Sequence, residues 1–495
     1  MELKTTNYKS IFKATSIFGG VQVFNIFVTL IRSKALAILI GTAGMGLNGL
    51  FMSSLNLIKT ISSLGISESA VKDISKAYSS GETIHIDKTF TVFKRWIWIT
   101  AALGIVLTVA FSPLLSKFSF GSTNYTISYI LLSATFLFGA LSGGIYTFLR
   151  GTRQIAYLAQ ANIIGAVTGL IVALPIFYFY GIQGVVPAII VTAFGNFLVS
   201  LYFRSKVKFN KIAINWSETI TLGMPMVKLG LSLTFINLMT TAIAFILNAF
   251  ISKTGTLSDL GIYNAGQAIV EGYVGMVFTA MATDYFPRLA GVIDNEFKWK
   301  ELVNQQAELV IIILSIVLVM LIFTAPLLIR ILLSKEFLVA KDFIFWSVLA
   351  IPMKGLVWVT SFVILAKGDS KLFIIVEVIT NVIMLIFNIL FYKYYGINGL
   401  GISMLVSYFI FMIIIIAVLK SKYSFQFSKE VVTLTLVSIA SLSMCLICIK
   451  VLGYPNAYYA ESIIVLLTII FSLNELNKRV NLKGIILYIK NKIKR

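Results

Sequence analysis

Runs of about 20 predominantly apolar residues follow one another along almost the whole chain. Each run is long enough to cross about 30 Å of hydrocarbon as an α-helix. With 58% hydrophobic and 12% charged residues, the 495-residue chain is too apolar to fold as a water-soluble domain. We therefore predict an all-α polytopic membrane protein with about 14 transmembrane helices. The predicted spans are 14–40, 44–66, 95–115, 125–149, 155–178, 183–203, 223–251, 260–286, 306–329, 343–366, 372–392, 398–419, 431–452 and 457–474.

Lysine and arginine residues are concentrated on alternate loops, and this bias predicts the orientation of the chain. If the N-terminus is cytoplasmic, the N-terminal arm, the even-numbered loops and the C-terminal tail hold most of the 41 basic residues. The opposite face holds only Lys117, Lys253, Arg330, Lys335, Lys341, Lys393 and Lys450. Both termini are therefore predicted to be cytoplasmic. The same bias accounts for most of the net charge of +21, so we expect no nucleic-acid partner.

Three short motifs recur at an offset of about 215 residues, which indicates one membrane module written twice. The pairs are Tyr180-Gly181-Ile182-Gln183-Gly184 with Tyr395-Gly396-Ile397-Asn398-Gly399, Arg150-Gly151-Thr152 with Lys367-Gly368-Asp369, and Gly46-Leu47 with Gly261-Ile262. Each copy contains six predicted crossings. Because six is even, the second copy inserts in the same orientation as the first.

The repeat and the basic connector near residues 204–222 predict three parts. Residues 1–210 form an N-terminal six-helix bundle, and residues 211–420 form a second bundle that repeats the first. Residues 421–495 add two transmembrane helices and a basic cytoplasmic tail.

Residues typical of enzymes or metal centres are scarce. His85 lies in a polar loop, where a solvated surface role is the simpler interpretation. Cys445 and Cys448 lie inside an apolar span without the additional Cys or His ligands that a zinc site needs. The chain has no Gly-Lys-Ser/Thr loop for nucleotide phosphates. We expect no enzymatic activity, no metal and no bound cofactor.

Ionisable residues inside the apolar spans are the main functional candidates, because each costs a few kcal/mol at the helix centre unless it meets water, a partner or a ligand. The cations are Arg32, Lys34, Lys59 and Lys354, and the acids are Glu271, Asp284 and Glu377. Two interpretations without cargo stay open. Glu271 and Lys354 could form an internal ion pair, and Lys59 and Asp284 could extend to the nearby cytoplasmic surface.

The central cations favour an anionic cargo such as phosphate, pyrophosphate or an acidic sugar. A carrier of lipophilic cations would instead need an acidic cavity with aromatic walls. Arg32 and Lys34 point about 200° apart on a continuous helix, so both can face one cavity only if the long first span breaks near them.

Several motifs in residues 10–420 resemble those of the Wzx-type polysaccharide flippases in the multidrug/oligosaccharidyl-lipid/polysaccharide (MOP) superfamily. They are Lys34-x-Leu36-Ala37, Gly41-Thr42-Ala43-Gly44-Met45-Gly46-Leu47, Gly261-Ile262-Tyr263, Tyr285-Phe286-Pro287-Arg288-Leu289, Ser334-Lys335-Glu336-Phe337, Lys354-Gly355, and Ala366-Lys367 through Glu377. The order and spacing are similar to flippases of O-antigen and enterobacterial common-antigen lipid intermediates. The basic residue that peptidoglycan-precursor flippases carry in the eighth span is absent.

The resemblance implies a MATE-like, V-shaped pair of six-helix bundles in the bacterial inner membrane, with no enzymatic step. Its cargo would be an undecaprenyl-pyrophosphate-linked oligosaccharide of O-antigen or lipopolysaccharide biosynthesis, moved to the periplasmic leaflet by alternating access. Membrane lipids, a polysaccharide polymerase and a chain-length regulator are the other partners that it suggests. The alternatives are a multidrug or cation exporter of the same fold and a membrane enzyme acting on polyprenyl-linked sugars.

The resemblance also assigns residues. The cation sites of the family fall on Lys34, Lys354 and Lys367, and Arg32 is an addition of this chain. These four are the expected ligands of the diphosphate or anionic glycan. Glu271 and Glu377 are the expected coupling or charge-neutralising residues, with a proton or sodium gradient as the driving force.

Overall fold

The computed structural model describes residues 21, 24–25, 27–80, 82–207, 210 and 212–480, and within them the regular structure is helical throughout. The all-α prediction is confirmed. The predicted N-terminal arm with Lys4, Lys9 and Lys13 and the basic tail beyond residue 480 lie outside the described residues. The helix bounds are α1 27–39, α2 Gly41–Ser62, α3 Ile66–Ser80, α4 Thr83–Ala110, α5 Ser112–Phe120, α6 Thr126–Leu132, α7 Ala134–Gly151, α8 Ile155–Tyr180, α9 Val185–Ser205, α10 Trp216–Thr254, α11 Leu257–Val292, α12 Glu296–Leu332, α13 Ala340–Ala366, α14 Ser370–Tyr423, α15 Lys429–Leu452 and α16 Ala457–Val480, with short 3₁₀ helices at Gly181–Gly184 and Lys335–Val339.

Nine helical segments in the described part of the chain are long and apolar enough to cross a membrane. Two of them, Ile155–Ser205 and Ser370–Tyr423, are 51 and 54 residues long, so each can cross twice. The predicted spans 44–66 and 260–286 are also helical, as α2 and α11, but they are more polar and do not belong to the nine. The chain is a multi-pass membrane protein.

Both double-length segments turn at a glycine of the repeated Tyr-Gly-Ile-x-Gly motif. Gly181 has φ 53° and ψ −132°, and Gly396 has φ 57° and ψ −142°. A positive φ combined with such a strongly negative ψ lies outside the left-handed helical region that other residues sometimes adopt, so glycine is needed at each turn. The second glycine of each motif lies against the carbonyl eight residues earlier, where an added Cβ would come within 2.8 Å at Gly184 and 2.0 Å at Gly399. The motif is therefore a helical hairpin used twice.

A second pair of matching turns corrects the alignment of the two copies. Arg153 and Gly368 both have positive φ, 55° and 76°. The next residues, Gln154 and Asp369, share φ −80° and ψ 57°, and each backbone N–H donates to the carbonyl five residues before it, at 2.8 and 3.1 Å. The backbone thus pairs residues 215 apart. Lys367 corresponds to Thr152, and the predicted pairing of Lys367 with Arg150 is wrong by two residues.

The third repeated motif forms a symmetric close contact between α2 and the first turn of α11. A Cβ on Gly46 would lie 1.8 Å from the Leu257 carbonyl oxygen, and one on Gly261 would lie 2.0 Å from the Thr42 carbonyl oxygen. Leu257 and Thr42 are themselves 215 residues apart. The two helices therefore meet backbone to backbone through equivalent residues.

The chain forms two compact units, one of residues 1–261 with 332–334 and the other of 262–331 with 335–495. Helix α10 belongs to the first unit, where it packs against α2 and α3 and where Trp96 Nε1 donates to the Thr219 carbonyl at 3.2 Å. This grouping reflects packing and does not test the division of the sequence repeat at 210 and 420, which stays a prediction.

The added helices α15 and α16 are part of the second unit. Ser315 of α12 donates to Ser438 of α15 at 2.8 Å, and the Asn304 side chain accepts from the backbone of Ser428 at 2.8 Å. At the far end of α16, Arg479 forms an ion pair with Glu308 of α12. These polar contacts fix the helical pair on α12.

Candidate functional site

A cavity of about 280 Å³ lies between α13 and α14 in the second unit and contains two of the predicted site residues, Lys354 and Glu377. This volume is close to the lower bound of about 300 Å³ typical of small-molecule sites. The cavity is lined by Lys354, Val357, Trp358, Ser361, Phe362 and Leu365 of α13 and by Phe373, Glu377, Thr380, Asn381, Met384, Tyr408 and Phe411 of α14.

Helical spacing and one turn bring these side chains together. On α13, Lys354, Trp358, Ser361 and Leu365 follow one another at intervals of three or four residues, so they share one face. The same spacing places Glu377 on the cavity face of the first half of α14. The turn at Gly396 folds the second half of α14 back, which returns Tyr408 and Phe411 to the same cavity.

Lys354 and Glu377 carry opposite charges, but they are not paired with each other. The Lys354 ammonium lies 5.7 Å from the centre of the Tyr408 ring, within cation–π range. The Glu377 carboxylate accepts from Asn381 Nδ2 at 3.4 Å. Both side chains are half-buried, and among the ion pairs of the described residues neither takes part in one. Each charge can therefore act on a ligand.

Aromatic rings form much of the cavity wall, and sequence reasoning missed them. The Trp358 ring lies 5.1 Å from Phe362 and 5.1 Å from Phe278. Behind it, the buried Tyr285 donates to the Val359 carbonyl at 3.0 Å, which fixes a second layer of rings. The sequence did contain one indication of this wall, because Trp358 and Phe362 are four residues apart and therefore lie on the same face of a helix. A carrier of lipophilic cations was expected to need an acidic cavity with aromatic walls, and here the aromatic walls stand beside both a lysine and a glutamate, Lys354 and Glu377.

Lys367 lies outside this cavity. Its ammonium donates to the Ile293 carbonyl at 2.8 Å and lies 5.4 Å from the Trp299 ring. Thirteen residues separate it from Lys354, which corresponds to about 20 Å along a helix. Its contacts hold the end of α13 to the segment that follows α11.

Glu271 also lies outside the cavity. It is exposed on α11 and accepts a hydrogen bond from Gln267 at 2.8 Å. Within the described residues no ion pair joins it to Lys354, so the structure does not show the internal pair considered above. Lys59 and Asp284 were the two residues that could extend to the cytoplasmic surface; Lys59 is exposed, and Asp284 is exposed and paired with Arg288 at 3.0 Å.

Arg32 and Lys34 lie on α1 in the first unit, and both are half-buried. The Lys34 ammonium donates to the carbonyl of Leu333, in the short segment 332–334 that belongs to the same unit. The helix is continuous over 27–39, and the break falls at Ile40 and Gly41. The helix does not break near Arg32 and Lys34, so the condition under which both could face one cavity is not met. The two cations point in different directions, and their role as anion ligands stays a prediction.

The fold around this cavity is shared with solved transporters. The lipid II flippase MurJ in its inward closed conformation matches with a TM-score of 0.67 and 15% identity, over 93% of this chain and 98% of that chain. An inward-facing multidrug resistance MATE family transporter of the MOP superfamily matches with a TM-score of 0.63 and 14% identity, over 81% and 94%. The chain thus shares the polytopic helical membrane fold of these two proteins, which is the fold that its motifs led us to expect.

Sequence comparison assigns the family. The model of the family described as "Polysaccharide biosynthesis protein" matches residues 35–342, more than half of the chain, and the chain belongs to that family. The lipid III flippase of Escherichia coli strain K12 is 20% identical over 414 residues, covering 81% of this chain and 96% of that protein. The probable lipid II flippase MurJ of Borreliella burgdorferi is 24% identical over 315 residues, covering 59% and 57%.

Proposed function

We propose that this protein moves a polyprenyl-diphosphate-linked oligosaccharide from the cytoplasmic to the periplasmic leaflet of the bacterial inner membrane. The observation that carries the proposal is the match to the lipid III flippase over 96% of that protein. Membership of a polysaccharide biosynthesis family supports it. The finer assignment, an O-antigen or related surface-glycan repeat unit, rests on the motifs described above.

The cavity supports the proposal because its chemistry suits a sugar next to an anion. Trp358 and Phe362 offer flat apolar surfaces for the C–H faces of a sugar ring. Thr380 and Asn381 offer hydrogen bonds to hydroxyl groups. Lys354 stands in the same cavity as the compensating charge for a phosphate oxygen. A volume of about 280 Å³ accommodates a part of the head group, and the polyprenyl chain would stay in the surrounding lipid.

In this mechanism the protein lowers the cost of taking a charged, hydrated head group across hydrocarbon. An unpaired anion faces a prohibitive desolvation cost there. Lys354 and the polar cavity side chains replace part of its hydration. A site that binds equally well from both sides sets no direction. The direction of transport would come from one of two sources. A polymerase and its chain-length regulator could consume the product, or a proton or sodium gradient could drive the cycle.

Identification of the glycan that accumulates without the protein tests this proposal. Cells in which the gene is removed are expected to accumulate a lipid-linked oligosaccharide on the cytoplasmic side. The wild-type gene and Lys393→Ala, which changes an exposed lysine of α14 outside the cavity, should restore export. Lys354→Ala should not restore it, and Lys354→Arg should restore part. Absence of any accumulated lipid-linked glycan would contradict the proposal.

The orientation is also part of the proposal, since the Lys/Arg bias requires cytoplasmic termini. In a variant with Cys445 and Cys448 replaced by serine, a cysteine placed at the exposed Trp216 is expected to resist an impermeant thiol reagent in intact cells. It should react after the cells are opened. Labelling of Trp216→Cys from outside would show that the orientation is reversed.

The aromatic walls and Glu377 favour one second candidate, export of hydrophobic cations by the same fold. A multidrug resistance transporter of the MATE family shares that fold. Equilibrium binding to purified protein separates the two functions. Binding of a hydrophobic cation that is lost in Glu377→Gln but kept in Lys354→Ala would favour the exporter.

A further inference from the structure

A buried carboxyl outside the candidate cavity has no assigned role. Glu461 of α16 is 0% exposed. Neither of its carboxyl oxygens has a hydrogen-bond partner among the described residues, and the nearby hydroxyl of Tyr454 is buried without a partner as well. No ion pair of the described residues includes Glu461.

The surroundings of Glu461 come from several elements of the second unit. Cys445 of α15, Tyr454 of the α15–α16 turn and Tyr458 of α16 lie within electrostatic reach of the carboxyl. Two charged residues lie further out: Asp342 of α13 interacts electrostatically with Tyr454, and Arg330 of α12 interacts electrostatically with Tyr458. The rings of Tyr454 and Tyr458 are packed with their centres 4.6 Å apart. The titratable side chains coupled to the carboxyl are thus a thiol and two phenols, which are ordinarily neutral at physiological pH.

An ionised carboxylate in this setting would be strongly destabilising. Burial of a charge without a partner or hydrogen bonds costs so much free energy that the group neutralises itself instead. A metal ion is a poor alternative, because hard cations need about six oxygen ligands and no group of three or more His, Cys, Asp or Glu residues in the described chain could hold one. A single bound proton is enough to neutralise the buried carboxylate.

We propose that Glu461 is a proton-binding site of the α15–α16 pair. In the packing seen here its carboxyl holds one proton taken from water, which converts the carboxylate into a carboxylic acid. Any rearrangement that admits water to the Tyr454 turn releases the proton to that water. Binding and release involve no other bond.

The position of Glu461 gives the proton a defined side of the membrane. The residue lies about one turn from the start of α16, at the end opposite to Lys478 and Arg479. In the predicted orientation that end faces the outside. Resting on the proposed function, the site would then link a proton from the periplasm to the transport cycle through α15 and α16, which are fixed to α12 by the contacts described above.

Infrared spectroscopy of the purified full-length protein in lipid tests the site directly. At neutral pH the wild-type spectrum minus the Glu461→Gln spectrum should contain the carbonyl stretch of a protonated carboxylic acid, because the amide of glutamine has nearly the shape of the neutral acid but lacks this band. The wild-type spectrum minus that of Glu430→Gln, which changes an exposed glutamate of α15, should not contain it. Absence of the band from the first difference spectrum, with a folded variant, would overturn the proposal.

Two further measurements keep the test decisive. If Glu461→Gln does not fold, Glu461→Asp should retain the band but with a shifted pH midpoint, and an unshifted midpoint would assign the proton elsewhere. In proteoliposomes that translocate a lipid-linked glycan, Glu461→Gln should make the rate insensitive to an imposed pH gradient, whereas Glu430→Gln should behave as the wild type. Failure of the wild type to translocate would reject the proposed function and leave the infrared result standing.

Discussion

The contact between Gly46 and Gly261 leads to a quantitative prediction. A Cβ at residue 46 would lie 1.8 Å from the Leu257 carbonyl oxygen. Ordinary contact begins at about 3.4 Å, so Gly46→Ala must separate α2 from the first turn of α11 by about 1.6 Å. Overpacking costs about 1–3 kcal/mol, and the obstacle is a backbone atom that cannot rotate away, which favours the upper half of that range. The better helix propensity of alanine offsets about 1 kcal/mol, leaving a net loss of about 1–2 kcal/mol.

The assay is thermal unfolding of the purified variants in one detergent, with Gly143→Ala as the control. A Cβ on Gly143 has no neighbour within 4 Å, so that variant should be as stable as the wild type or slightly more stable. Gly46→Ala and Gly261→Ala should each lower the midpoint. The double variant should lose less than the sum of the two, because the first substitution already separates the helices. Equal midpoints for Gly46→Ala and Gly143→Ala, or strictly additive losses, would refute the close contact.

Two other predictions separate structural from functional charges. Lys367→Met should lower thermal stability by about 1 kcal/mol, because the hydrogen bond to the Ile293 carbonyl is lost, and it should leave transport intact. If the variant instead has wild-type stability and no transport, Lys367 is an anion ligand. Asp369 gives a pH prediction. The Tyr423 hydroxyl and the Lys422 ammonium hold the pKa of the Asp369 carboxyl below its ordinary value, so its stabilisation is present above a pH of about 3.9 and is lost as the pH falls through the lowered value. The midpoint difference between wild type and Asp369→Asn should therefore shrink on acidification, and a difference that is constant with pH would contradict this.

The fold was predictable because its determinants are local. A run of about 20 apolar residues indicates a transmembrane helix without reference to the rest of the chain. Each Tyr-Gly-Ile-x-Gly motif forms its turn at a glycine with positive φ, Gly181 or Gly396. The alignment error had a local cause too. Similarity of side chains paired Lys367 with Arg150, whereas the backbone, which the sequence does not display, pairs it with Thr152.

The site was predictable only in part. Lys354 and Glu377 were found because a charge in an apolar run is conspicuous, but their placement in one cavity depends on how α14 folds back on α13. The aromatic wall was missed because phenylalanine and tryptophan occur throughout membrane helices. Glu461 was missed because it lies close to the end of its span, where a glutamate usually reaches water. Its complete burial is a product of packing by α15 and its neighbours.

Translocation by the purified protein is the most direct test of the central claim. In proteoliposomes that contain a fluorescent polyprenyl-diphosphate oligosaccharide in both leaflets, a membrane-impermeant quencher reports the fraction that reaches the outer leaflet. The wild type and Lys393→Ala should make the whole pool accessible, Lys354→Arg should do so more slowly, and Lys354→Ala should leave the inner-leaflet pool protected. Full accessibility with Lys354→Ala at equal protein content would contradict the role of the cavity, and a protected pool with the wild type would contradict the proposed function itself.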